Sequence, residues 1–125
     1  METKSAIHAL AALAQETRLS IFRVLVRAGP EGLSAGAVAA AVGAPASTLS
    51  FHLKELAAAG LVTSRQESRF IYYSAEYAAM SELVAFITES CCQGMPAKNV
   101  ARMGQAVAAC CAPSGAPARK TRRAA

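Results

Sequence analysis

The chain has no aspartate and no tryptophan, holds only two histidines, and is 6% aromatic. Without aspartate, and with only His8 and His52 to donate ring nitrogens, hard and borderline metal ligands are scarce. An activated nucleophile would also lack its usual base, because no histidine or aspartate stands near any cysteine in sequence. No run approaches the ~18 apolar residues a membrane helix needs. The short apolar stretch Ile7 to Ala14 has no basic leader before it and no cleavage site after it, so a cytoplasmic location is expected.

What is present is alanine and aliphatic residues, which bring the hydrophobic fraction to 54% in 125 residues. That length suits one domain, with room for pairing with a second copy to help bury surface. The formal net charge of +5 leans on Arg119, Lys120, Arg122 and Arg123, which crowd the last seven residues and leave the rest of the chain near neutral. A tail of this kind attracts polyanions in general and does not by itself specify nucleic acid.

Periodicity predicts a mainly helical fold. Ile7, Leu10 and Ala14 mark a first helix; Leu19, Phe22 and Val26, with Ile21 and Leu25 alongside, mark a second that Gly29 and Pro30 stop. Ser34 is placed to cap a short third helix carrying Val38 and Val42, with Gly43 as its left-handed end. A fourth helix from about Pro45 to Ala59 aligns Leu49, Leu53 and Leu56 and closes at Gly60, so the third and fourth make a helix-turn-helix candidate. Residues 61–66 and 70–74 read as a small β-hairpin turning through Glu67, Ser68 and Arg69. A fifth helix from Glu76 to Ser90 bears Tyr77, Met80, Leu83, Val84, Phe86 and Ile87. That stripe is broad enough to suggest that the first and fifth helices pack across a two-fold axis. Gly94 and Pro96 break the helix after Cys92; residues 97–109 suit one more short helix, and from Pro113 the composition reads as disordered. The expected division is a winged helix-turn-helix region over 1–92 and a cysteine-bearing, basic tail over 93–125.

Around the fourth helix, successive residues step by about 100°. Opposite the leucines this gathers Ser47, Ser50, Phe51 and Lys54, with Thr48 beside them. Hydroxyls that reach base edges, a ring for a thymine methyl and a cation for phosphate suit a major groove, although an ordinary solvated face has the same composition. His52 lies at the edge of the apolar side and reads as a hydrogen-bonded structural histidine. Arg65 and Arg69, in or beside the hairpin, are candidates for phosphate or the minor groove.

The segment ASTLSFHLKELAAAGLVTSRQESRFIYYS resembles the recognition helix and wing of the ArsR/SmtB family of winged-helix metalloregulators, and ETRLSIFRVL resembles that family's second helix. The likeness covers residues 5 to 92. It implies a homodimer built on the first and fifth helices, paired recognition helices in successive major grooves of double-stranded operator DNA, and Ser47, Ser50 and Phe51 at the DNA.

Two inducer sites familiar in that family are missing: LSAGAVAAAVG carries no cysteine, and the fifth helix has neither aspartate nor histidine. Cys91 and Cys92 remain, with Cys110 and Cys111 in the tail. Soft thiolates suit trivalent arsenic, as arsenite or an organoarsenical, and antimonite. The pair followed by Gln-Gly is similar to the variant site of arsenic-responsive members, which add a third cysteine further along. Here a helix over 97–109 would hold Cys110 about 20 Å away. A tail that loops back, a thiol from the partner subunit, or a two-thiolate site for a methylated arsenical are the alternatives. Four-cysteine zinc fits adjacent pairs badly. Disulfide-based redox sensing stays open, and a metalloid carrier or small thiol enzyme is the reading from another class.

Overall fold

A computed structural model describes residues 1–110; Cys111, the residues from Pro113 on and the basic cluster at 119–123 lie outside the described residues. The chain divides into two compact units, the first Met1–Ile87 and the second beginning at Thr88.

The first unit runs α1 (Thr3–Leu13), α2 (Glu16–Ala28), β1 (Leu33–Ser34), α3 (Ala35–Val42), α4 (Ala46–Ala58), β2 (Val62–Glu67), β3 (Phe70–Ala75) and α5 (Tyr77–Ile87). Local chemistry sets most of these boundaries. The Gln15 side chain accepts the Arg18 backbone N–H at 2.8 Å to open α2, with Glu16 in the first turn and Arg27 in the last to complement the helix dipole. Ser34 Oγ caps α3 by accepting from the Ala37 N–H at 3.2 Å, and Gly43 closes it in the left-handed conformation at φ 71°.

Ile21, Leu25, Val38, Leu49, Leu53, Leu56 and Leu61 form the centre of the core, with Leu83 sealing it from α5. Helix α1 meets this core through Ala6, Ala9 and Ala12, one per turn, whose small side chains let its backbone approach closely. The larger Ile7 and Leu10 therefore face outward, 60% and 43% exposed, as do Val84 and Ile87 on α5. Arg18 adds a polar tie, its Nε donating to the Ala12 carbonyl at 2.7 Å.

The sheet has three strands, in the order β1-β3-β2 and antiparallel throughout. A hairpin alone was expected. The added strand is the two-residue β1, whose Leu33 and Ser34 pair with Tyr73 and Tyr72; it is too short to show any alternation in sequence. The hairpin turn is also tighter than expected, because Glu67 pairs with Phe70 and only Ser68 and Arg69 form the loop, Ser68 at φ 63°.

In the second unit α6 (Cys91–Gly94) and α7 (Ala97–Cys110) follow. The fifth helix was expected to reach Ser90 with the cysteine pair at its end. Instead α5 stops at Ile87, and Ser90 takes a left-handed conformation at φ 59° that starts α6 afresh. Among the described residues no single helix is long and apolar enough to cross a membrane.

Candidate functional site

Two sets of side chains carry chemistry, one in each unit. In the first unit, the break between α3 and α4 turns the chain by 106°, within the range of a helix-turn-helix. Burial of Leu49, Leu53 and Leu56 fixes the roll of α4 and leaves Ser47, Thr48, Ser50, Phe51 and Lys54 exposed together on its other side. Phe51 is 54% exposed. Thr48 Oγ1 donates to the Pro45 carbonyl at 3.1 Å and Ser50 Oγ to the Ala46 carbonyl at 3.4 Å, so both hydroxyl oxygens are left to accept from outside. Lys54 makes no ion pair with another described residue.

His52 is half-buried, with Nδ1 3.5 Å from the Arg18 guanidinium and its ring edge-on to Phe51 at 5.6 Å. A guanidinium only donates, so in this contact Nδ1 is the acceptor. This is the structural histidine the sequence suggested.

The two wing arginines differ. Arg69 is exposed in the hairpin loop. Arg65 is engaged within the protein: its Nε pairs with Glu67 Oε2 at 2.8 Å, its NH1 donates to the Glu31 carbonyl at 2.8 Å, and its guanidinium lies 5.1 Å from the Tyr72 ring centre. Glu31, Glu67 and Tyr72 were not singled out in the sequence. The strand register would have found Tyr72, which stands opposite Arg65.

In the second unit, Cys91 and Cys92 occupy consecutive positions of the four-residue α6. On a regular helix adjacent side chains diverge by about 100°. Here Cys91 is half-buried and Cys92 exposed. Burial first, then the neighbouring Cys92 side chain and its charge, push the Cys91 thiol above its ordinary value. Cys110 is exposed at the far end of α7, and all three are free thiols. Helix α7 is regular over its fourteen residues, which sets Cys110 about 20 Å along its axis from the start of the helix. Among the described residues no three histidine, cysteine, aspartate or glutamate side chains come together to hold a metal ion. The described residues thus offer a soft two-sulfur site, and the chain does not loop back through 97–109 to add a third.

Comparison with known proteins agrees with this architecture. A helix-turn-helix domain model matches residues 13–65. The nodulation protein NolR of Rhizobium meliloti is 36% identical over 80 residues, 64% of this chain and 63% of that protein. The uncharacterized HTH-type transcriptional regulator YceK of Bacillus subtilis (strain 168) is 43% identical over 63 residues, 50% of this chain and 62% of that protein. The matches thus span somewhat under two thirds of these relatives' lengths. Among solved structures, NolR from Sinorhizobium fredii superposes with a TM-score of 0.57 at 35% identity, covering 69% of this chain and 83% of that one. An ArsR-like transcriptional regulator from Rhodococcus sp. RHA1 gives 0.61 at 27%, covering 86% and 93%. A possible transcriptional regulator for arsenical resistance gives 0.55 at 32%, covering 63% and 79%. The fold and the exposed face of α4 define a winged helix-turn-helix protein. The chain belongs to the ArsR family of winged-helix transcriptional regulators.

Proposed function

We propose that this protein is an arsenic-responsive repressor: its metal-free homodimer holds operator DNA, and trivalent arsenic bound by Cys91 and Cys92 releases it, derepressing detoxification genes. The observation that carries the reading is the pair of adjacent free thiols on the short α6 of an ArsR-family chain. Arsenite offers hydroxyls as leaving groups, so each thiol that binds arsenic releases one water. Two thiols complete the coordination of a methylated trivalent arsenical; arsenite or antimonite would take a third sulfur, from Cys110 or Cys111 of the partner subunit.

On the DNA side, α4 presents Ser47, Thr48, Ser50 and Phe51 to the major groove and Lys54 to phosphate, while Arg69 approaches from the wing. The outward Ile7, Leu10, Val84 and Ile87 are the apolar surface through which α1 and α5 pair two copies. Release requires arsenic to bind the DNA-free geometry more tightly than the DNA-bound one.

The test is fluorescence anisotropy of the protein on the DNA upstream of its own gene. It is titrated with arsenite, methylarsenite, antimonite, zinc and peroxide, for wild type and for serine pairs at 91/92 and 110/111. Release by trivalent arsenicals that vanishes in the 91/92 variant is expected. Release by peroxide alone would replace the metalloid reading with a redox one.

A further inference from the structure

The wing has an aromatic face of its own. Cross-strand pairing of Glu67 with Phe70 and of Arg65 with Tyr72 puts these four side chains on one side of the hairpin. The opposite side begins at the buried Val62 and Ala75, so the aromatic face is turned away from the core. On it the Phe70 and Tyr72 rings lie 6.4 Å apart. Tyr72 is covered by the Arg65 guanidinium, which Glu67 and the Glu31 carbonyl hold in place. The cluster has one free end: Phe70, the first strand residue after the two-residue loop, is 53% exposed, its ring tilted 51° to that of Tyr72.

Single exposed apolar side chains are ordinary on protein surfaces. Phe70 differs in its place and its neighbours. It stands at the tip of a narrow hairpin, braced from behind, and beside Arg69. Glu67, the acid at that tip, is neutralised by Arg65, so the tip carries the net positive charge of Arg69 and complements a polyanion. A cation beside an exposed apolar ring is the combination with which proteins enter a minor groove, about 6 Å wide, and part a base step.

We propose that Phe70 is a minor-groove wedge, its ring inserted at a base step beside the site read by α4 and kinking the duplex toward the major groove. The proposal rests on the DNA-binding reading above. It adds a specificity that base contacts do not supply: pyrimidine–purine steps unstack most easily, so one belongs at a fixed distance outside each half-site.

Circularly permuted fragments of the upstream DNA, with 2-aminopurine at successive positions, test this on wild type and on Phe70→Ala, Phe70→Leu and Arg69→Ala. Wild type is expected to bend the fragment and raise 2-aminopurine fluorescence at one step per half-site, and Phe70→Leu to keep most of both. Phe70→Ala is expected to bind roughly 5- to 150-fold more weakly, as when stacked aromatics are truncated, and to leave the DNA straight with its salt dependence unchanged. Arg69→Ala is expected to lower the salt slope by about one per wing while preserving the bend. A bend undiminished in Phe70→Ala, or wild-type binding without bend or unstacking, overturns the wedge alone. Wild-type protein that binds neither this fragment nor mixed-sequence duplex at low salt overturns the DNA-binding reading, and the wedge with it.

Discussion

The phenol of Tyr77 donates to the backbone carbonyl of Val26 at 2.9 Å, joining the first turn of α5 to the last turn of α2. Burial raises the Tyr77 pKa from its ordinary 10.0, partly offset by a hydrogen bond from the Gly29 backbone. The unfolded chain ionises this phenol near 10, whereas the folded chain holds its proton longer. Its contribution is therefore fully present below pH 10 and is lost as pH rises from there toward the folded value. Tyr77→Phe is expected to cost about 1 kcal/mol at neutral pH, the net worth of one hydrogen bond. It should also flatten the alkaline loss of stability, read as the wild-type-minus-variant difference in urea unfolding between about pH 9 and 11.

Gly32 opens strand β1 at φ 77°, and a Cβ placed there would run into the Tyr73 carbonyl. The glycine serves two needs at once, a left-handed backbone and the close approach that lets Leu33 pair with Tyr73. Gly32→Ala should cost at least about 2 kcal/mol, from backbone strain and a displaced strand. Because Arg65 is anchored on the neighbouring Glu31 carbonyl, the substitution should also loosen the wing. Hydrogen exchange of the Tyr72 and Tyr73 amides would report it, and protection as in wild type would mean that β1 does not hold the wing.

Much of this architecture was legible in sequence because it rests on local rules. Ser34 and Gly43 bound α3, and Leu49, Leu53 and Leu56 orient α4 through their spacing. What escaped depends on partners remote in sequence. On α1 the apolar moment points to Ile7 and Leu10, yet the close packing of this core admits the alanines and turns the larger residues outward. Arg65 reads as a free cation until Glu31, thirty-four residues earlier, is brought beside it. The cysteine pair was visible, but the left-handed Ser90 that gives it a helix of its own leaves no glycine or proline as a sign.

Lys54 and Arg65 should behave differently on DNA although both are cations of the first unit. Lys54 is exposed and makes no ion pair with another described residue, so Lys54→Ala should weaken operator binding and lower the slope of log affinity against log salt by about one per recognition helix. Arg65 already spends its donors on Glu67 and Glu31, so Arg65→Ala should leave that slope nearly unchanged and act through the stability of the wing. Salt titrations of the two variants decide it, and equal slopes would mean that Arg65 leaves its internal partners to meet phosphate.

Cys91 and Cys92 are unequal although adjacent. Burial raises the Cys91 thiol, and its contact with Cys92 raises it further. Since the thiolate is the form that reacts with alkylating reagents, Cys91 should be modified by iodoacetamide more slowly near neutral pH than an unperturbed thiol, and its rate should keep rising past pH 9. Replacing Cys92 with serine removes the neighbouring thiol's charge while the burial stays, so the Cys91 rate profile should move part of the way back toward lower pH. Mass-resolved alkylation from pH 6 to 10 measures this directly. A Cys91 profile identical in wild type and Cys92→Ser would show that the two sulfurs do not sense each other, and a pair so uncoupled would make a poor chelate for one arsenic atom.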